Sequence, residues 1–175
     1  MPALWPIAVG ETRAYADAWL PPGFTATIFA DDLLEPRGMA LAACTGGGQH
    51  LLVIERGDVS RVTALWDEDG DGASGAGERA VIADSAGGLN HGIALYNGYL
   101  FASSDTEVYR WPYAACQKTN VGAHITVVVN MNADGRGGAP RGHRTRTLAF
   151  GSTGRLFISV GSYANVDDDD ERSRI

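Results

Sequence analysis

Arg37-Gly-Met-Ala-Leu41, His91-Gly-Ile-Ala-Leu95 and Arg146-Thr-Leu-Ala-Phe150 are one phrase written three times. Each opens on a basic side chain and runs into a short apolar segment. Each is followed by a second segment of matching pattern: Leu52-Val-Ile-Glu55, Leu100-Phe-Ala-Ser103 and Leu156-Phe-Ile-Ser159. Runs this short, rich in β-branched and aromatic residues, read as strands. A strand pair recurring about every fifty residues marks a repeat architecture, and short strands with tight turns specify propeller blades. A propeller gathers equivalent positions around one axis. Arg37, His91 and Arg146 are therefore expected to sit at the start of the innermost strand of successive blades and to converge.

Working outward, strands are predicted near 24–30, 36–43, 49–55 and 58–66 for a first blade. A second blade takes 79–84, 91–96, 98–103 and 106–112, and a third takes 124–131, 145–150 and 154–161. Turn signals punctuate them: Thr45-Gly-Gly-Gly48, Asn97-Gly98 and Ser152-Thr-Gly154. Residues 1–20 read as a lead-in with a weak helical stretch near Thr12 to Trp19, ended by Pro21-Pro-Gly23. Residues 21–175 then form a partial all-β propeller domain, with blades at about 24–66, 79–112 and 124–175. The last blade lacks its fourth strand. Three open blades leave exposed strand edges, so the chain is expected to be the N-terminal part of a longer propeller. The competing architecture is a small β-sandwich with coincidental self-similarity.

The 175 residues are 45% hydrophobic and 20% charged, with 23 glycines, a globular composition rich in turns. The net charge of -7 disfavours a nucleic-acid reader, which carries a basic face. No apolar run approaches a membrane span. The first residues, Met1-Pro-Ala-Leu-Trp-Pro-Ile-Ala-Val9, lack a basic n-region and make a poor signal peptide. Cys44 and Cys116 can pair only if the fold brings them together, which the sequence leaves open. Trp66, Tyr109 and Trp111 are expected to pack between blades.

Two segments carry chemistry. In Arg141-Gly-His-Arg-Thr-Arg146, a histidine stands on a loop just before an inner strand, among guanidinium groups. Imidazole can take a proton from a hydroxyl near neutral pH, and guanidinium groups clamp carboxylates through paired hydrogen bonds. The second segment is Asp67-Glu-Asp-Gly-Asp-Gly72, with Glu78 completing a twelve-residue calcium spacing. Strand-like flanks argue against an EF-hand. Asp67, Asp69, Asp71 and Glu78 are read as a candidate structural calcium loop linking two blades, against a plain acidic turn as the alternative. Asn132-Ala-Asp-Gly-Arg-Gly-Gly138 lacks the lysine and helix of a phosphate loop and reads as a turn. Asp167-Asp-Asp-Asp-Glu171 reads as a solvated acidic turn.

Leu20-Pro-Pro-Gly-Phe24, Gly88-Leu-Asn-His-Gly92, Gly142-His-Arg-Thr-Arg-Thr147, Val160-Gly-Ser162 and Asn165 together resemble the glucose/sorbosone dehydrogenase family, nearest its sorbosone and pyranose dehydrogenase branch. The resemblance runs from about residue 20 onward. It implies a six-bladed propeller that uses pyrroloquinoline quinone (PQQ), a planar quinone with three carboxylates. It places the catalytic base on His143. Repeat and resemblance together select Arg37, His91 and Arg146 as PQQ contacts. The family also uses calcium as a Lewis acid on the quinone, with ligands largely in later blades. The implied partners are a sugar substrate and an external electron acceptor, and the implied location is extracellular or periplasmic. One departure stands out. The soluble glucose dehydrogenase branch has an aspartate after the glycine equivalent to Gly161, where this chain has Ser162, which cannot stabilise an imidazolium charge in the same way.

The leading expectation is thus a PQQ-dependent sugar dehydrogenase, inactive as this piece alone. The alternatives are a non-catalytic propeller that binds a partner or glycan, and a metal-dependent lactonase-type propeller. The repeated cations disfavour the lactonase, because they repel a catalytic metal and attract an anionic cofactor.

Overall fold

The computed structural model describes residues 20–131, 143–162 and 166. The weak helical stretch near Thr12 to Trp19, the 132–142 segment, Asn165 and the 167–171 acidic run lie outside the described residues. Among the described residues every regular element is a strand. The strands are β1 (Pro36–Ala43), β2 (Gln49–Glu55), β3 (Arg61–Leu65), β4 (Arg79–Ala83), β5 (Ile93–Tyr96), β6 (Tyr99–Ser103), β7 (Val108–Pro112), β8 (Ile125–Val128), β9 (Arg146–Phe150) and β10 (Leu156–Val160). They form two four-stranded antiparallel sheets, β1-β2-β3-β4 and β5-β6-β7-β8, and a two-stranded sheet of β9 and β10. The all-β expectation is met, with blade-like sheets in simple meander order. No helix of the described residues is long and apolar enough to cross a membrane.

The sheets are cut differently from the expected blades. Residues 24–30 form no strand and hold only an isolated bridge at Thr27. The first sheet instead takes its fourth strand from Arg79–Ala83, which pairs with β3. The second sheet likewise takes Ile125–Val128, which pairs with β7. The Asp67–Glu78 loop therefore joins neighbouring strands of one sheet, not two blades. Strand pairing through a long polar loop is a tertiary fact that strand propensity does not encode.

The sheets stack through two apolar clusters. Leu52, Ile54, Val62, Ala64 and Ile82 of the first sheet meet Ile93, Leu100, Tyr109 and Trp111 of the second, with Trp66 in the same cluster. Phe101 and Val108 of the second sheet meet Leu148, Phe150 and Ile158 of the third, with Met131. The expected packing of Trp66, Tyr109 and Trp111 between sheets is what the structure has. Glu55, 1% exposed, is a charged residue within this interior. The forked guanidinium of Arg61 satisfies it with bonds of 2.6 and 3.1 Å, as a buried carboxylate requires.

A disulfide joins Cys44, just after β1, to Cys116, in the loop between β7 and β8. It ties the first sheet to the second. Beside it His50 is 4% exposed and stacks on Trp66 at 5.0 Å between ring centroids. Burial, and then the nearby Lys118 ammonium, push its pKa below the ordinary histidine value, with Glu68 opposing.

Candidate active site

The three phrases lie side by side: β1 touches β5, and β5 touches β9. Glycine makes the close approach possible. A Cβ on Gly38 would run into the backbone carbonyl of His91, and one on Gly92 into the carbonyl of Arg146 and the Ser103 hydroxyl. Each glycine thus rests on the opening residue of the next phrase. Ser103 completes the joint, accepting from the Gly92 N–H at 3.1 Å and donating to the Arg146 carbonyl at 3.2 Å. The three phrases thus meet through their opening residues.

Their opening side chains are not equivalent. Arg37 and His91 line a cleft of about 380 Å³ across the starts of β1, β5 and β9, with Met39, Ile93, Thr147 and Leu148. Arg37 is exposed, and among the described residues neither it nor the His91 ring forms an ion pair or side-chain hydrogen bond. Among the described residues no carboxylate lines the cleft. Two unspent nitrogen groups facing an acid-free cleft suit an anionic ligand, and a planar tricarboxylate such as PQQ fits that donor set.

Arg146 departs from the expectation and does not line this cleft. It is fully buried. Its guanidinium donates to the carbonyls of Thr145 at 3.2 Å, His143 at 3.4 Å and Met131 at 3.5 Å. Burial pulls its pKa below the usual arginine range, while the Asp105 carboxylate opposes that. The reason lies in the strand alternation. Arg146 shares a face of β9 with Leu148 and Phe150, and that face packs on the second sheet. Its terminal nitrogens are spent on the loop that enters β9, while its buried Nε has no partner among the described residues, and Thr147 takes the place at the cleft.

That loop carries His143, which is exposed. Its backbone N–H donates to the Ser162 carbonyl at 3.1 Å. A Cβ on Gly161 would stand 2.8 Å from the His143 Cβ, so glycine there lets the loop seat against the end of β10. Ser162 thus meets His143 through the backbone. Asn90, from the Gly88–Gly92 motif, binds the loop from the second sheet. Its amide donates to the Asp105 carboxylate and, at 3.4 Å, to the Arg144 carbonyl. Asp105 also faces the Arg144 guanidinium at 3.7 Å. Asn90, Ser103, Asp105 and Thr147 escaped the sequence reading. Asn90, Ser103 and Thr147 lay inside quoted motifs, but none of those motifs announced a contact.

In the acidic loop, carboxylate oxygens of Asp67, Asp69 and Asp71 come within 4.8 Å of one another. Glu78 does not join them. Its carboxylate accepts from the N–H groups of Glu68 at 2.6 Å, Asp69 at 3.3 Å and Gly75 at 2.8 Å. The bonds from Gly75 and Glu68 hold its pKa below the usual carboxylate range. Glu78 therefore closes the loop internally and stands apart from the Asp67–Asp69–Asp71 cluster. Strands β3 and β4 flank the loop, so it is no helix–loop–helix.

Residues 18–174 match the family model described as TrAA12-like. The PQQ-dependent sugar dehydrogenase of Hypocrea jecorina (strain QM6a) is 35% identical over 153 residues, which are 83% of this chain and 32% of that protein. The calcium structure of the Trichoderma reesei carbohydrate-active enzyme of family AA12 matches with a TM-score of 0.67 and 26% identity, over 95% of this chain and 38% of that one. The holo form of the pyranose dehydrogenase PQQ domain from Coprinopsis cinerea matches with a TM-score of 0.62 and 28% identity, over 81% of this chain and 31% of that one. The chain spans about a third of the length of the relatives it matches. With this match over nearly its whole length, the chain belongs to the TrAA12-like family.

Proposed function

We propose that the sheets described above are blades of a six-bladed propeller and that the chain forms part of the mouth of a PQQ-dependent sugar dehydrogenase. The observation that carries this is the cleft shared by Arg37 and His91, cationic in a chain of net charge -7 and free of carboxylates. Arg37 and His91 hold the cofactor's carboxylates there. PQQ, when bound, supplies the two-electron acceptor for hydride from the sugar's anomeric carbon. A ring nitrogen of His143 accepts the proton of the anomeric hydroxyl as the carbonyl forms. Arg146 acts as a positioning residue, because its bond to the His143 carbonyl and its burial fix where the imidazole stands. The substrate is a sugar of the aldose, pyranose or sorbosone kind, and the electrons pass on to an external acceptor.

Calcium is proposed as a structural cation for Asp67, Asp69 and Asp71, supported by their convergence. It should raise the melting temperature without changing PQQ affinity. An extracellular or periplasmic location is supported by the Cys44–Cys116 disulfide, since such bonds persist in oxidising compartments.

The test is PQQ titration and turnover in the full-length gene product. Arg37→Ala should weaken PQQ binding roughly tenfold to a hundredfold, the worth of a charge-assisted hydrogen bond. His143→Ala should cut turnover by about a hundredfold to ten-thousandfold with PQQ affinity nearly unchanged. The 175-residue chain alone should be without turnover. Unchanged PQQ affinity in the first variant, or full turnover in the second, refutes the assignment of that residue.

A further inference from the structure

Away from the cleft lies a cluster that sugar oxidation does not use. The two sulfurs of Cys44 and Cys116 and a ring nitrogen of His50 lie within 4.8 Å of one another. His50 is 4% exposed, and its Nδ1 is buried without a hydrogen-bond partner. Buried polar nitrogens are nearly always paired, and an orphan calls for an explanation. Stacking on Trp66 fixes the ring, so the orphan is held in place. Two sulfurs and an imidazole nitrogen are the donor set that soft cations select.

We propose that Cys44, Cys116 and His50 form a redox-gated metal site: a disulfide when oxidised and, once reduced, a Cys2His site for one thiophilic d10 cation of the Zn(II) or Cu(I) kind. Reduction by a thiol breaks the S–S bond and leaves two cysteine thiols, while two reductant thiols become one disulfide. Binding the cation then releases two thiol protons and forms two metal–sulfur bonds and one metal–nitrogen bond. The Cα–Cα separation of 5.2 Å lets both thiolates reach one ion by side-chain rotation alone. Either state closes the same chain loop, so the metal would keep the first two sheets joined after the disulfide opens.

The experiment uses the 175-residue chain, reduced with a phosphine, freed of reductant without oxygen and titrated with Cd(II) as a spectroscopic d10 probe. The expected result is one Cd(II) per chain, with thiolate-to-metal charge-transfer absorbance and both thiols shielded from a thiol reagent. His50→Phe, which keeps the stacking ring and removes the nitrogens, should weaken binding at least about tenfold. Its disulfide should still form on reoxidation. If the reduced chain loses its fold, Cd(II) should restore the β circular dichroism, and failure to do so overturns the proposal. Equal binding by the Cys44→Ser/Cys116→Ser chain, or undiminished binding by His50→Phe, also overturns it.

Discussion

Removing the Cys44–Cys116 bond should cost the chain about 4 kcal/mol. The two cysteines are separated by 72 residues. On the chain-entropy relation, opening a loop of that size returns about 15 cal/mol/K to the unfolded chain, or about 4 kcal/mol at 25 °C. The folded state itself gives up little, because the Cys116 sulfur has only a long 3.4 Å approach to the Ala42 carbonyl. The loss should therefore act through the unfolded state. The assay is urea unfolding of the oxidised chain and of Cys44→Ser/Cys116→Ser, followed by circular dichroism and tryptophan fluorescence. A freed unfolded chain exposes more surface, so the denaturant slope should rise while stability falls. A loss below about 1 kcal/mol would refute the loop-closure reasoning. A loss of the expected size with an unchanged slope would place the effect in native packing instead.

Gly92→Ala should destabilise the chain by about 1–3 kcal/mol, because its Cβ has no room between the Arg146 carbonyl, Ser103 and Leu148; thermal melting checks this. Arg146→Met should lower turnover of the full-length product through a displaced His143, leaving PQQ affinity near wild type; an equal loss in both would return Arg146 to the cofactor site. Stability should fall as pH drops below about 6.5, because unfolded His50 gains a proton that the buried native ring resists. The loss grows until pH passes below the lowered native pKa. His50→Phe should remove this component, which urea midpoints measured from pH 7.5 to pH 5 would detect.

Much of the fold was legible because strands announce themselves locally. The phrases at Arg37, His91 and Arg146, and their partners at Leu52, Leu100 and Leu156, became β1, β5, β9, β2, β6 and β10. The sheet boundaries were not legible. Arg79–Ala83 follows a long acidic loop that resembles a connection, and only its pairing with β3 assigns it to the first sheet. At the site, the motif identified the region of Asn90 and His91, but not that Asn90 would bind Asp105 across the sheet. The Cys44–Cys116–His50 cluster was equally hidden. Its members come from β2 and two separate loops, with no spacing that a sequence pattern could carry.

Arg146 explains why a repeat can mislead about chemistry while being right about structure. Along the regular parts of β1, β5 and β9 the side chains alternate. Gly38, Ala40 and Ala42 of β1 face the second sheet, while Met39 and Leu41, each 63% exposed, point the other way. In β5 the matching residues Ile93 and Leu95 pack on the first sheet. In β9 the matching residues Leu148 and Phe150 pack on the second sheet, and Arg146 lies with them. Arg146, inside β9, thus looks back toward the second sheet. Among the described residues no sheet stands against the Met39 face of β1, and Arg37 is exposed at the cleft. A sheet does stand against β9, and Arg146 is buried on it. Burying an arginine is costly unless carbonyls receive its donors, and those of Met131, His143 and Thr145 receive its terminal nitrogens. The same residue type at the same repeat position therefore binds outward in one phrase and braces inward in another. Which it does is decided by what precedes its strand in space, and the phrase itself contains no trace of that.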